Sequence, residues 1–175
     1  EDNGLAAPIF ISTDPMPTVR PDIETHIIRP DVRFWDFREL PSFAYNARLL
    51  EEAPRVLAGR RPSLVYQRYA VNNYAGLQLA RGWAVPFVLE YNGSEVLIAR
   101  NWGKPLPQER RSLQIEDLVL RYADLVVVVS EPMRTELLAR GIEGDRILVN
   151  PNGDDPERYS PEVVGSMVVA LRRFL

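Results

Sequence analysis

Six short runs of apolar, mostly β-branched residues mark the chain: PIFIST (8–13), THIIR (25–29), SLVYQR (63–68), PFVLEYN (86–92), DLVVVVS (124–130) and RILVN (146–150). Each is bounded by Pro, Gly, Asn or Asp, the residues that end strands. Between the later runs, apolar positions recur every three or four residues, the period of an amphipathic helix. FAYNARLLEEAPRVLAG (43–59) puts Phe43, Ala47, Leu50 and Ala53 or Pro54 on one stripe, and Pro54 is expected to kink that helix or end its first part. YAGLQLARG (74–82) closes on Gly82, suited to a C-cap. QERRSLQIEDLVLRYA (108–123) sets Leu113, Ile115, Leu118, Val119 and Tyr122 at helical intervals. SEPMRTELLARG (130–141) offers Ser130 as N-cap, Pro132 in the first turn and Gly141 at the end.

Runs of four or five apolar residues without alternation, each followed by a helix, indicate a parallel sheet covered on both faces. The expected fold class is therefore α/β, a Rossmann-like three-layer sandwich with a mainly parallel sheet. Residues 1–160 read as one domain and 161–175 as a linker or helix. Residues 12–41 are rich in proline and lack glycine, so a largely irregular excursion with one short strand is expected there. The final VVGSMVVALRRFL carries a helix-compatible apolar stripe that a partner domain, a second copy in a homodimer, or the domain's own core would cover.

Composition narrows the function classes. A chain of 175 residues suits one domain able to hold a core of its own. Lys and Arg number 21 against 24 Asp and Glu, a balance unlike the basic surplus of a nucleic-acid reader. With no cysteine and one histidine, a disulfide framework, a thiolate nucleophile and a His-rich metal site are excluded. The longest apolar run, Leu125 to Val129, is far below the roughly 20 residues that cross a bilayer, and the N-terminus has no signal-peptide pattern. A cytoplasmic location is expected. The chain starts without Met and stops at ALRRFL, as a piece of a longer protein would.

Candidate chemistry gathers where strands end, because parallel α/β sheets bind ligands beyond their carboxyl ends. Arg68 and Tyr69 leave the VYQR strand and lead to Asn72 and Asn73. The arginine can hold an anion bidentately and the tyrosine can stack on a sugar-like face; the plainer alternative is that Asn72 caps a helix and Tyr69 covers the core. EYNGSEVLIARNWG (90–103) is less expected after a buried strand. Asn92, Ser94 and Glu95 supply hydrogen-bonding groups, and Gly93 lets another group approach the backbone. VLIA reads as strand-like and Trp102 as exposed; a turn with Ser94 as N-cap is the structural alternative. Asn152 and Gly153 follow RILVN, with Asp154 and Asp155 next to them; two adjacent carboxylates alone make a poor metal site. His26 reads as a packed residue of the THIIR strand. No Ser-His-Asp set or phosphate-loop pattern is present.

The series PSLVYQRYAVNNYAGLQLA, PFVLEYNGSE with NWG, ADLVVVVSEPMRTELLARGI and RILVNPNGDDPERYSP resembles the N-terminal domain of family-4 glycosyltransferases of the GT-B fold, over about residues 62–161. The resemblance implies one half of a GT-B architecture: the acceptor-side domain of a retaining transferase that moves a sugar from a nucleotide-sugar donor to a saccharide or lipid-linked acceptor in an interdomain cleft. It implies Arg68, Tyr69, Asn92, Gly93, Ser94 and Glu95 as substrate-binding residues, Asn152 and Gly153 beside the interdomain cleft, and no metal or other cofactor. The partner it implies is a C-terminal donor-binding domain outside this chain, so the isolated chain is expected to be inactive.

Three departures from the family pattern bear on that reading. Asn92 stands where many members have histidine, and the glycine-rich turn after the first strand is missing from STDPMPTVRP. NGDD replaces the usual NGVD. The competing class is a non-catalytic α/β module that binds a saccharide or nucleotide.

Overall fold

The computed structural model describes residues 7–15 and 23–153. Strands β1 (Ile9–Ser12) and β2 (Glu24–Ile27) pair in parallel as a small sheet. After a 3-10 turn at Val32–Phe34 the chain enters α1 (Leu40–Leu57). It continues through β3 (Val65–Arg68), α2 (Ala75–Trp83), β4 (Phe87–Tyr91), α3 (Glu95–Trp102), α4 (Glu109–Tyr122), β5 (Leu125–Val128), α5 (Glu131–Ala139) and β6 (Ile147–Val149). The last four strands form a second parallel sheet in the order β3-β4-β5-β6. The molecule is thus a mainly parallel, Rossmann-like α/β fold, as the strand–helix alternation in the sequence implies. Residues 161–175, expected to form a linker or helix, lie outside the described residues, as does the pair Asp154 and Asp155.

The core lies on one face of the larger sheet. Phe87, Leu89 and Tyr91 of β4, Val126 and Val128 of β5 and Ile147 of β6 point there and meet Leu77 and Ala80 of α2, Val119 and Leu120 of α4 and Leu137 of α5. Each large side chain buried this way is worth about 1.5–3 kcal/mol. Strand register puts Tyr66, Val88 and Leu125 in one row on the opposite face, and Arg68, Glu90, Val127 and Leu148 in the next. That face is partly open, with Tyr66 54% and Leu148 50% exposed.

Three local expectations are corrected. α1 runs through Pro54 to Leu57, so the proline does not end the helix; it gives up the one bond that the proline nitrogen cannot make, while Ala53 and Leu57 bury their side chains on either side of it. α2 passes Gly82 and ends at Ala84 in the left-handed region (φ 53°), whose N–H closes onto the carbonyls of Ala80 and Arg81. Pro86 then excludes further helix. The strand-like VLIA is helical: it opens α3, because Ser94 caps that helix and Val96 alone needs burial.

α1 also organises α2. Asn46, 1% exposed, accepts the N–H groups of Tyr74 (2.8 Å) and Ala75 (2.9 Å) on Oδ1 and donates from Nδ2 to the Asn72 carbonyl (2.8 Å). It thereby supplies from a distance of 28 residues the N-cap that local sequence usually provides. Asn72 does not cap α2; it takes a left-handed backbone (φ 64°) and donates to Ser42 Oγ at 2.9 Å. The small sheet is tied to the end of α1 by Glu24, whose carboxylate receives Arg60 Nη1 (2.7 Å) and Nη2 (2.8 Å). His26 Nε2 lies 2.7 Å from the same carboxylate, so the histidine is a half-exposed partner of Glu24 and not a core residue.

Two outcomes follow. Asn46→Ala leaves the Tyr74 N–H and the Asn72 carbonyl without partners and the Ala75 N–H with only Asn73 Oδ1 at 3.2 Å, and should lower unfolding free energy by about 2 kcal/mol, read from urea denaturation. Hydrogen bonds from Arg60, and then His26, hold the Glu24 carboxyl down at about 2 against an ordinary 4.5. Its contribution is therefore full above pH 4.5 and is lost as pH falls towards 2. The Tm gap between wild type and Glu24→Gln should be present at neutral pH and close over that acid window.

Candidate functional site

The carboxyl ends of β3 and β4 carry most of the residues singled out from the sequence, and the structure sorts them into two groups. Tyr69 and Ser94 face inward. Tyr69 is 6% exposed and gives its hydroxyl to Glu116 Oε2 at 2.8 Å, so its ring is not available for stacking on a ligand. Its N–H binds the Glu90 carbonyl at 2.7 Å, which extends the β3–β4 ladder by one residue and turns the side chain to the core face. Ser94 is also buried and accepts the Leu97 N–H at 3.2 Å, the bond of an N-cap. For both residues the structural alternative is the one observed.

Arg68, Asn92 and Glu95 face solvent, and Gly93 is half-buried between them. Glu90 joins the first two: its carboxylate accepts Asn92 Nδ2 (2.8 Å) and the Tyr66 hydroxyl (2.8 Å), and Arg68 Nε stands 3.8 Å away. Burial, and then the bond to Glu90, pushes the Tyr66 hydroxyl up to about 12, so it remains a donor at neutral pH. With its amide nitrogen engaged, Asn92 has a carbonyl oxygen without a donor among the described residues, able to accept a hydroxyl. Gly93 sits at φ 117°, a conformation L side chains rarely adopt. Glu95 Oε2 accepts the Val71 N–H at 3.0 Å, clipping the loop after β3 to the start of α3. Trp102, at the end of α3, is 81% exposed, as its polar neighbourhood implies. Asn152 and Gly153 are exposed just beyond β6, whose exit is held by Asn150 N–H on the Val128 carbonyl at 2.8 Å.

Beneath this rim lies a charged hub that sequence reading missed. Glu116 of α4 is 1% exposed and accepts Tyr69 Oη on one oxygen and, on the other, Tyr91 Oη (3.2 Å) and Arg140 Nη1 (2.8 Å). Arg140 also reaches Asp117 at 2.6 Å. The tyrosine rings lie 5.3 Å apart, tilted by 56°. Burial, and then the Glu116 charge, raises both hydroxyls far above the ordinary tyrosine range, so they stay protonated donors. The available sequence signal was a glutamate at a core-facing position of the α4 stripe, three residues before Val119. Glu90, a carboxylate inside an apolar strand, was legible in the same way. Among the described residues, no three His, Asp or Glu side chains come together in a set able to hold a metal ion, and no helix is long and apolar enough to cross a membrane.

A family model described as glycosyl transferase 4-like domain matches residues 7–153. Among solved structures, the chain is similar to sucrose-phosphate synthase from Thermosynechococcus elongatus: 19% identity over 93% of this chain and 41% of that one, with a TM-score of 0.69. It is also similar to Anabaena Alr3699/HepE, solved in complex with UDP-glucose, with 17% identity over 86% of this chain and 36% of that one and a TM-score of 0.51. The chain thus spans less than half the length of either structure. No curated protein sequence matches it.

The hub predicts a stability effect that a ligand-contacting tyrosine would not give. Tyr69→Phe should cost about 2 kcal/mol by leaving a buried carboxylate oxygen unpaired, and Glu116→Ala about 3 kcal/mol by leaving both buried hydroxyls without their acceptor, while Arg140 keeps Asp117 at 2.6 Å. Urea unfolding of the two variants checks both figures.

Proposed function

Because the chain belongs to the glycosyl transferase 4-like domain family, we propose that it forms the acceptor-side half of a retaining glycosyltransferase. In this reading a sugar passes from a nucleotide-sugar donor to an acceptor in a cleft between this domain and a donor-binding domain. The observation that carries the proposal is the family match itself, which takes in both sheets and the whole polar rim at the ends of β3 and β4. A nucleotide sugar as donor accords with the UDP-glucose bound to the Anabaena neighbour.

The rim residues suit positioning and charge stabilisation more than proton transfer. Asn92, held by Glu90, presents a fixed carbonyl oxygen to a sugar hydroxyl. It cannot shift a proton near neutral pH as a histidine could. Arg68 is only loosely paired and its side chain is 74% exposed, leaving the guanidinium free to meet a phosphate of the donor. Gly93 lets the ligand approach the backbone, and Glu95 fixes the loop beside it. Asn152 and Gly153 lead toward the donor-binding domain. Transfer then depends on orienting the two substrates and stabilising the departing phosphate and the positive sugar, with no metal cofactor and with part of the donor set supplied by the other domain.

In a polypeptide carrying this chain together with a donor-binding domain, Asn92→Ala should lower kcat/KM by about 10- to 100-fold, the loss of one transition-state hydrogen bond. Its Tm should move by no more than about 2 °C, since the residue is on the surface. Equal losses of activity and fold would overturn the assignment of Asn92. Tight saccharide or nucleotide binding with no transfer from any donor would favour a non-catalytic binding module.

A further inference from the structure

The same rim holds a second recess that the cleft residues above do not use. It is formed by two distant segments, Asp36–Phe43 leading into α1 and Pro107–Arg111 leading into α4, and has a volume of about 520 Å³. α1 starts after the carboxyl end of β2, and α4 ends just before β5 begins. Both helices therefore open on the side of the sheets where α/β folds bind ligands, and the volume is that of a small-molecule site.

The side chains of the recess are unevenly satisfied. Arg38 and Arg111 are exposed, and neither has a carboxylate partner among the described residues. Phe37 is 60% exposed at the mouth, beside Asp36. Glu39, 8% exposed, joins the two segments by accepting the Gln108 N–H on Oε2 at 2.6 Å. Its other oxygen, Oε1, is buried without a hydrogen-bond donor among the described residues. A buried acceptor in that condition calls for a donor from outside the fold. Two unpaired guanidiniums, two carboxylates and an exposed ring form a set for a molecule that carries both hydroxyls and an anion.

Resting on the transferase reading above, we propose that this recess is the acceptor subsite and that it takes a saccharide bearing an anionic group. Arg38 and Arg111 hold the anion, Phe37 covers the apolar face of the ring, and Asp36 and the free oxygen of Glu39 accept hydroxyls. The site explains why a buried carboxylate is kept half-satisfied next to two unpaired arginines.

The test is a parallel amide-NMR titration of the 175-residue chain with glucose 6-phosphate, glucose and inorganic phosphate. The expected result is that glucose 6-phosphate shifts the amides of Phe37–Leu40 and Gln108–Arg111, and that the other two probes bind at least about tenfold more weakly. Arg38→Gln and Arg111→Gln, both at exposed positions without ion pairs, should each weaken glucose 6-phosphate by about tenfold and leave the fold intact. Equal affinity for phosphate alone, equal affinity for glucose alone, or unchanged affinity in both variants would overturn the proposal. No response of the recess to glucose 6-phosphate would also overturn it, and shifts at Tyr91–Glu95 on adding UDP-glucose as a fourth probe would then leave the transferase reading standing. Sugar-phosphate shifts at the recess in a protein that transfers no sugar would remove the transferase reading and overturn the acceptor role with it, leaving only a sugar-phosphate site.

Discussion

The ends of β3 and β4 depend on one charge, the carboxylate of Glu116, which is 1% exposed and has both oxygens paired. It receives hydroxyls from the ends of β3 and β4 and a guanidinium from the last turn of α5. Four elements distant in sequence are thus fixed to one charge in a medium where an unpaired charge is severely penalised. The two tyrosines must present their hydroxyls to it, so their rings occupy the core face. Everything that leaves those strands next, the loop to Asn72 and the turn through Asn92 to Ser94, starts from positions this network has set.

A second, neutral network does the corresponding work on the other flank. Asn46 of α1 caps α2, Asn72 bonds to Ser42, and the Ser42 hydroxyl returns to the Glu39 carbonyl at 2.7 Å. Glu39 in turn binds the start of α4. The chain of contacts runs from the loop after β3, through the first turn of α1, to the recess between α1 and α4. The charged hub and the amide network therefore support two neighbouring stretches of one rim, and the polar groups on that rim are held by packed elements rather than by loose loop.

The rim also shows how one sheet divides its labour. Alternate residues of β4 serve opposite ends: Phe87, Leu89 and Tyr91 go to the core, whereas Glu90 gathers Tyr66, Arg68 and Asn92 on the open side. Arg68 and Glu90 are register partners. Their loose pairing is the cross-strand arrangement expected of opposite charges on adjacent strands, and it keeps a guanidinium near the strand ends without burying it.

The fold class and the described strands were legible in the sequence, because each falls in a short apolar stretch between residues that end strands, and such stretches are local. The helices were legible in existence but less so at their ends. Pro54 and Gly82 are strong local signals, yet tertiary packing of Ala53 and Leu57 and the closure at Ala84 outweighed them. At the rim, sequence by itself determined that Arg68, Tyr69, Asn92, Gly93, Ser94 and Glu95 fall at strand ends, since that depends only on where the apolar runs stop. Only the tertiary structure decided that Tyr69 and Ser94 turn inward while Arg68, Asn92 and Glu95 turn outward. For Ser94 the inward turn fills a helix donor three residues on, an alternative that local sequence offered; for Tyr69 it rests on a carboxylate 47 residues away in the chain, and a partner at that separation leaves no mark in local pattern or spacing.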